Sequence, residues 1–239
     1  SLSPRLGLVW NPIEEHAFYT SYSKTFTPVG GELIGITPGD KNNKLDPQHT
    51  RLYEGGVKSD WLNGRLATTL SLYRLEMYNK RSKDPLDPTR VILTGLQRTD
   101  GIELSARAQL TDEIYLRGGV AIQDAEQVKA DADLQGKRPM NVSRQNGQLF
   151  AGYQSGKQGW FGETGVTAVG DRFADNANTT TLPGYARFDA RAGYRWPQWE
   201  AQLSVENLTD HDYFVSATSA AQIMPGTPRQ LHLTAAYRF

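Results

Sequence analysis

The residues of this sequence that could carry out metal or acid–base chemistry are four histidines and scattered carboxylates. His16, His49 and His232 are far apart, and the Asp-His-Asp triplet at 210–212 could suggest a metal site. No HExxH, GxSxG, phosphate-loop or GxGxxG arrangement is present. The absence of cysteine excludes disulfides, thiolate metal sites and cysteine nucleophiles. We therefore predict that the chain is not an enzyme and holds no metal site or covalent cofactor.

The composition limits the possible partners and compartments. The 239 residues carry 26 Lys+Arg and 26 Asp+Glu, which gives no basic footprint for nucleic acid. No apolar run approaches the ~18 residues of a membrane helix, so a membrane role would have to use strands. The first residues do not form a secretory signal, so we expect either that a signal was removed or that the chain is a piece of a longer protein.

The last ten residues alternate between apolar and polar side chains without a break. Leu231, Leu233 and Tyr237 point one way, whereas Gln230 and His232 point the other. Because side chains alternate across a strand, this pattern predicts one apolar and one polar face. The apolar face would meet a second sheet in a soluble sandwich, or lipid in an outer-membrane barrel.

The pattern along the rest of the chain predicts about eleven strands and no amphipathic helix. The faces of residues 73–79 cannot be assigned from this pattern. The predicted strands are 4–10, 15–26, 48–60, 64–79, 94–110, 113–124, 146–154, 159–172, 184–196, 198–207 and 228–239.

The predicted connections alternate between short and long. The short ones are 11–14, 62–63, 111–112, 155–158 and 197, and the long ones are 27–47, 80–93, 125–145, 173–183 and 208–227. Sorting short turns to one end and long loops to the other is typical of an up-and-down transmembrane β-barrel. All five tryptophans lie beside short connections, at 10, 61, 160, 196 and 199, which favours an aromatic girdle at a membrane boundary.

Several short motifs occur in a fixed order along the sequence. They are LDP at 45–47 and YEGGVK at 53–58, GIEL at 101–104 and LTD at 110–112, GKRP at 136–139, GDRF at 170–173 and LPGYARFD at 182–189, NLTDHDYF at 207–214, and PGTPR at 225–229 followed by YRF at 237–239. Together they resemble the motifs of TonB-dependent siderophore receptors.

The resemblance implies the C-terminal half of a 22-stranded antiparallel barrel, whose N-terminal plug and first half lie outside this chain. It implies active uptake of a ferric siderophore through the outer membrane of a Gram-negative bacterium. The implied partners are the Fe(III)-siderophore as transported ligand, TonB acting through the plug, the N-terminal half of the receptor, and outer-membrane lipid or lipopolysaccharide.

The resemblance also suggests roles for individual residues. Cations and aromatics in long connections or near strand ends could capture an anionic ligand by charge and stacking; these are Lys41, Lys44, Arg98, Arg138, Arg144, Phe173, Tyr213 and Phe214. Charged residues of the polar face could contact a plug or form a solvated wall; these are Arg187, Asp189, Arg191, Arg195, Glu200, Glu206 and Arg238. Tyr237 and Phe239 would form the C-terminal assembly signal.

Two alternative interpretations remain open at this point. One is another outer-membrane barrel, such as a haem or cobalamin receptor or a passive porin. The other is a soluble antiparallel β interaction module, which extraction without detergent would favour.

Overall fold

The computed structural model describes residues 2–27, 47–84 and 87–239, and its regular elements are all β-strands. Within this part of the chain, no helix has the length and apolar character needed to span a membrane. The strands of the main sheet are β1 Arg5–Ile13, β2 His16–Thr27, β3 Gln48–Trp61, β4 Leu66–Asp84, β5 Asp87–Gln109, β6 Ile114–Lys129, β7 Gln145–Gln154, β8 Gly159–Val169, β11 Tyr185–Arg195, β12 Trp199–Glu206 and β15 Gln230–Tyr237. Two small hairpins pair β9 Arg172–Phe173 with β10 Thr181–Leu182, and β13 Phe214–Ser219 with β14 Gln222–Pro225.

The main sheet follows chain order, β1-β2-β3-β4-β5-β6-β7-β8-β11-β12-β15, and each neighbouring pair is antiparallel. The eleven predicted strands correspond one to one with these eleven. The prediction of an all-β, up-and-down antiparallel fold is therefore confirmed.

Each strand has one face that we call apolar and one that we call polar. Leu203 of β12 is opposite Leu233 of β15, and on the other side Leu203 is opposite Ala192 of β11. Its neighbour Gln202 is opposite Thr234 and Gly193. In these pairs the register keeps the apolar positions on one face and the polar or small ones on the other.

The five tryptophans lie at the end of the sheet where the short connections are, as predicted. All five are exposed in the isolated chain, with 45–64% of each residue's surface accessible. On β6, the apolar face runs from Ile114 to Ile122, about 27 Å along the strand at the usual rise. A tilted strand of this length fits the ~25 Å apolar band of an outer-membrane barrel.

The predicted connection at 80–93 is wrong, because β4 and β5 continue through it to Asp84 and from Asp87. The pairing shifts by one residue between Tyr78 and Lys80, where Asn79 has a φ of 59°. Asparagine tolerates this left-handed conformation, so the bulge lets the ladder continue. The sequence of 80–84 lacks an apolar face, which explains why alternation did not reveal a strand there.

The polarity of the two faces inverts near the far end of β4. Arg74 and Glu76 lie on the same face as Leu72, whereas Leu75 and Met77 lie on the polar face with Ser71. This inversion is why the faces of 73–79 could not be assigned from the pattern. It indicates that the apolar band ends after Leu72 and that β4 continues beyond it.

Candidate functional site

The polar face of the sheet carries aromatic rings that lie flat over glycines of the adjacent strand. A Cβ built on Gly152 would be 2.1 Å from Cζ of Tyr115, and one built on Gly101 would be 2.4 Å from Cζ of Tyr73. In each pair the two residues are directly opposite in the register. The same arrangement recurs in Tyr19 over Gly56, Phe150 over Gly165 and Phe161 over Gly193. Only glycine leaves room for these rings against the eleven-stranded main sheet, which we call the wall.

The hydroxyl groups of the flat tyrosines reach polar partners along the wall. Tyr73 Oη donates to Oε1 of Gln123 at 2.8 Å, and Gln123 is opposite Gly101 on the next strand. Tyr115 Oη likewise donates to Oε2 of Glu163 at 3.0 Å, across Gly152. Each of these tyrosines therefore connects three strands. Sequence reasoning missed these pairs because they depend on the register.

The charged residues predicted for the polar face lie on that face, as the register shows. Most of them form ion pairs with one another along the wall. The closest N–O distances are 2.9 Å for Arg187–Asp189, 3.3 Å for Arg191–Glu163, 2.9 Å for Arg195–Glu200 and 3.0 Å for Arg238–Glu200. Glu206 is opposite Gln230 at the edge pair. Whether these residues contact a plug stays a prediction.

Three segments pack into one unit at the long-connection end, which we call the outer cap (residues 130–144, 170–184 and 208–229). They overlap the predicted connections 125–145, 173–183 and 208–227. Its small core contains Ala174, Leu182 and Ala217, each at most 2% exposed, with Ile223 packed against them. These residues come from the two small hairpins, most of which fall within the predicted long connections 173–183 and 208–227. The outer cap is therefore a packed structure.

Hydrogen bonds from polar side chains link the three segments of the outer cap. The side chain of Asn141 donates to the carbonyl of Ala217 and accepts from its N–H, both at 2.8 Å. The guanidinium of Arg172, which is 5% exposed, donates to the carbonyls of Phe214, at 2.6 Å, and Val215. Buried hydrogen bonds of this kind favour a single arrangement of the loops.

Two predicted ligand contacts, Arg138 and Phe173, are packed against each other inside the outer cap. Arg138 is only 9% exposed, and its guanidinium lies 4.6 Å from the centre of the Phe173 ring. It donates to the Asp171 carboxylate at 2.7 Å, and this hydrogen bond lowers the pKa of Asp171 although partial burial opposes it. In this arrangement both residues hold the loops in place.

The Asp-His-Asp triplet at 210–212 forms part of a turn organised by Asn207, which is fully buried. The Asn207 side chain accepts from the N–H of His211 and donates to the carbonyls of His211 and Thr227 at 3.0–3.1 Å. Asp210 accepts from the N–H of Arg229 at 2.8 Å. Over the described residues, no group of three possible metal-binding side chains occurs.

Tyr213 connects the outer cap to the polar face of the sheet. It is 8% exposed, packs over Gly226 and lies against Tyr185 with 4.5 Å between ring centres. Arg187 donates to its hydroxyl at 3.4 Å. Burial raises the pKa of Tyr213, but the hydrogen bonds from Arg187 and Thr227 outweigh it, so the pKa is lowered overall. The neighbouring Phe214 is 39% exposed at the end of the sheet that carries the outer cap, which we call the mouth.

The other predicted ligand contacts do not converge on this mouth. Arg98 lies in β5 and not in a connection, on the face that carries Ile102, where it pairs with Glu76 at 3.1 Å. Arg144 is exposed and 3.7 Å from Asp124. Lys41 and Lys44 lie outside the described residues.

The predicted assembly residues form an aromatic chain at the short-connection end. Tyr237 packs against Trp199 and Phe239, with ring centres 4.8 and 5.1 Å apart. Their role in assembly stays a prediction.

Comparisons with known proteins identify the family that this chain matches. Residues 1–208 match the model of the TonB-dependent receptor-like β-barrel. The chain is 32% identical over 97% of its length to the metal-pseudopaline receptor CntO of Pseudomonas aeruginosa, and 30% identical over 97% to the ferrioxamine B receptor of Salmonella typhimurium. The crystal structure of the siderophore receptor PiuA from Acinetobacter baumannii is similar with a TM-score of 0.86 and 27% identity, over 98% of this chain and 35% of that one. The chain spans about a third of the length of these relatives (33% for each of the first two).

Proposed function

The chain belongs to the TonB-dependent receptor β-barrel family of the Gram-negative outer membrane, and from this premise we propose that it is part of a receptor for ferric siderophores. Supporting the proposal, relatives aligned over nearly the whole chain are named as receptors for metal-pseudopaline and for ferrioxamine B. The chain would supply the C-terminal half of the barrel, with an N-terminal half and a plug supplied by the remainder of the protein.

The observation that carries this proposal is a two-faced sheet with two free edges. β1 and β15 are the end strands of the described sheet and do not pair with each other. Unpaired N–H and C=O groups are costly in lipid, so a sheet in a membrane must close. The eleven strands would fit half of the 22-stranded barrel that holds a plug.

The two faces of the sheet would have different roles in such a barrel. The apolar face, with exposed residues such as Leu233 and Phe188, would contact lipid. The polar face, lined by ion pairs and flat tyrosines, would surround the plug. The outer cap would form one rigid side of the mouth, where Phe214 is available for an aromatic or apolar part of a ligand.

In the proposed mechanism, the Fe(III)-siderophore binds at the outer mouth and is the transported substrate. TonB would act through the plug, so the residues of this chain need not contact TonB. Their task is to hold the plug by reversible polar contacts and to position the mouth.

Uptake measured with the complete receptor tests the proposal. The receptor is expressed in a strain lacking other siderophore, haem and cobalamin receptors, with and without TonB. It is offered hydroxamate, catecholate and carboxylate ferric siderophores and, separately, haem and cobalamin. We expect TonB-dependent growth under iron limitation with at least one of them. Uptake that persists without TonB would instead indicate a porin, and uptake of haem or cobalamin alone would indicate a receptor for those ligands.

A second arm tests the half-barrel. Residues 1–239 expressed alone should neither insert stably nor support growth, whereas co-expression with the preceding part of the receptor should restore both. Growth with residues 1–239 alone would contradict the need for a plug.

A further inference from the structure

Two arginines of the outer cap are buried, and they differ in the groups that they contact. Arg138 is 9% exposed and donates to the carboxylate of Asp171. Arg172 is 5% exposed, and across the part of the chain that the structure describes it forms no ion pair with a carboxylate; its hydrogen bonds go to main-chain carbonyls. Burying a guanidinium group without a carboxylate costs free energy, so a buried arginine of this kind points to a specific role.

The two carbonyl groups that Arg172 contacts lie at an irregular point of the β13–β14 hairpin. The pairing of the two strands shifts at Val215, directly after the pair formed by Phe214 and Pro225. Proline has no N–H that could donate across the hairpin at this point. The guanidinium of Arg172 donates instead to the carbonyls of Phe214, at 2.6 Å, and Val215. Its planar fork holds two neighbouring acceptors in a fixed geometry, which the flexible ammonium group of lysine does not.

The main chain of Phe214 is also held from the side of Tyr213. The Tyr213 ring packs over Gly226 and lies 4.5 Å from the ring of Tyr185 between centres. The Arg172 guanidinium is 5.5 Å from the centre of the same Tyr185 ring. In addition, the N–H of Gly226 donates to the carbonyl of Tyr213 at 2.7 Å. Phe214 therefore follows a fixed main chain while it remains partly exposed at the mouth.

We propose that Arg172 is a positioning residue of the mouth, which fixes the main chain of Phe214 so that this ring meets an apolar or aromatic part of the ferric siderophore in one orientation. The inference rests on the proposed function. A contact residue that is already ordered loses less conformational entropy when the ligand binds, so affinity increases. Because Arg172 is buried, it does not touch the ligand, and its effect on affinity passes through Phe214.

The mobility of a spin label at position 214 of the complete, ligand-free receptor tests the positioning itself. The label should be immobile with Arg172 in place and mobile in Arg172→Lys and Arg172→Met, since neither side chain has the guanidinium fork. The control is Arg229→Gln, which removes an exposed arginine of the same segment, and the label should stay immobile in it. An immobile label in both Arg172 variants would overturn the proposal.

Equilibrium binding to the complete receptor separates positioning from a general structural role. The probes are ferric hydroxamate, catecholate and carboxylate complexes, and binding is followed by tryptophan fluorescence. For a complex that binds, Arg172→Met and Phe214→Ala should each raise the Kd by roughly three- to tenfold, as expected when one contact side chain is no longer ordered or is lost. The double variant should bind no more weakly than Phe214→Ala, because Arg172 acts through Phe214. Arg229→Gln is again the control and should leave the Kd unchanged.

The outcomes of the two experiments are distinguishable. Losses of affinity that add in the double variant would overturn the proposal, because Arg172 would then act by a route other than Phe214. Failure of all three ferric complexes to bind the unaltered receptor would contradict the proposed function. In that case the spin label, which needs no ligand, would still decide whether Arg172 fixes position 214.

Discussion

The eleven-stranded wall and the outer cap differ in where their side chains lie. Of the buried apolar residues in the described chain, Ala174, Leu182, Tyr213 and Ala217 belong to the outer cap, and only Ala125 belongs to the wall. The wall instead exposes large apolar residues such as Leu233, at 81%. The outer cap, although much smaller than the wall, therefore contains most of the buried apolar residues of the described chain.

This difference indicates two kinds of stabilisation. The wall depends on its backbone ladder, on aromatic rings seated over glycines, and on an environment that covers its apolar face. The outer cap depends on its own packing and on buried polar groups such as Arg172. The effect of a substitution in the wall on stability should therefore depend on the surrounding membrane. A substitution in the outer cap should affect only the residues near it.

The largest expected effect is on the apolar face of the wall. Leu203→Arg should lower the free energy of unfolding of the complete receptor in lipid vesicles by about 2–4 kcal/mol, because it places a charge in the apolar band. Gln202→Arg, one residue away on the polar face, is the control and should have little effect in urea titrations. Equal losses from the two substitutions would contradict the assignment of faces.

A smaller effect is expected where a ring lies over a glycine. Gly152→Ala should cost about 1–3 kcal/mol, because its Cβ would overlap Tyr115 and force the ring away from the wall. Gly55→Ala is the control, since a Cβ there would have its nearest contact at 3.8 Å. Tyr115→Ser should remove most of the penalty in the double variant. A full penalty in that variant would show that the ring is not its cause.

A local effect is expected in the outer cap. Asn141→Gly removes the two hydrogen bonds to Ala217, while glycine tolerates the φ of 62° at this position. The cost should be about 1–2 kcal/mol, because a buried N–H and C=O lose their partners. Hydrogen exchange should become faster around β13 and stay unchanged in β3 and β4. Faster exchange throughout the wall would mean that the two regions are not separate.

The smallest expected effect is the response of the outer cap to acid. The Arg138 guanidinium lowers the pKa of Asp171 in the folded state. The ion pair therefore stabilises the fold at pH values above the pKa of Asp171 in the unfolded chain, which is about 4. This stabilisation is lost as the pH falls through the lower pKa of Asp171 in the folded state. Because Asp171 is 59% exposed, solvent screening makes this contribution small. Protease sensitivity of residues 170–184 should rise on acidification, and Asp171→Asn should remove that pH dependence.

The strands of the wall could be predicted because lipid and lumen impose opposite polarities with a period of two. The prediction failed at 80–93, where the strands extend beyond the apolar band and carry no such alternation. The rings over glycines were not predictable, since pairs such as Phe161 and Gly193 meet only through the register. The packing of Arg138 against Phe173 was not predictable either, since the two residues are far apart in the sequence.

Accessibility of spin labels along β12 in the complete receptor tests the central claim most directly. A label at Leu203 should be accessible to oxygen in the bilayer and protected from a polar quencher, and a label at Gln202 should show the opposite. The same alternation should continue at Ala201 and Ser204. Equal accessibility of 202 and 203 to both reagents would contradict the claim that this sheet is a membrane-spanning wall with one lipid-facing and one lumenal face.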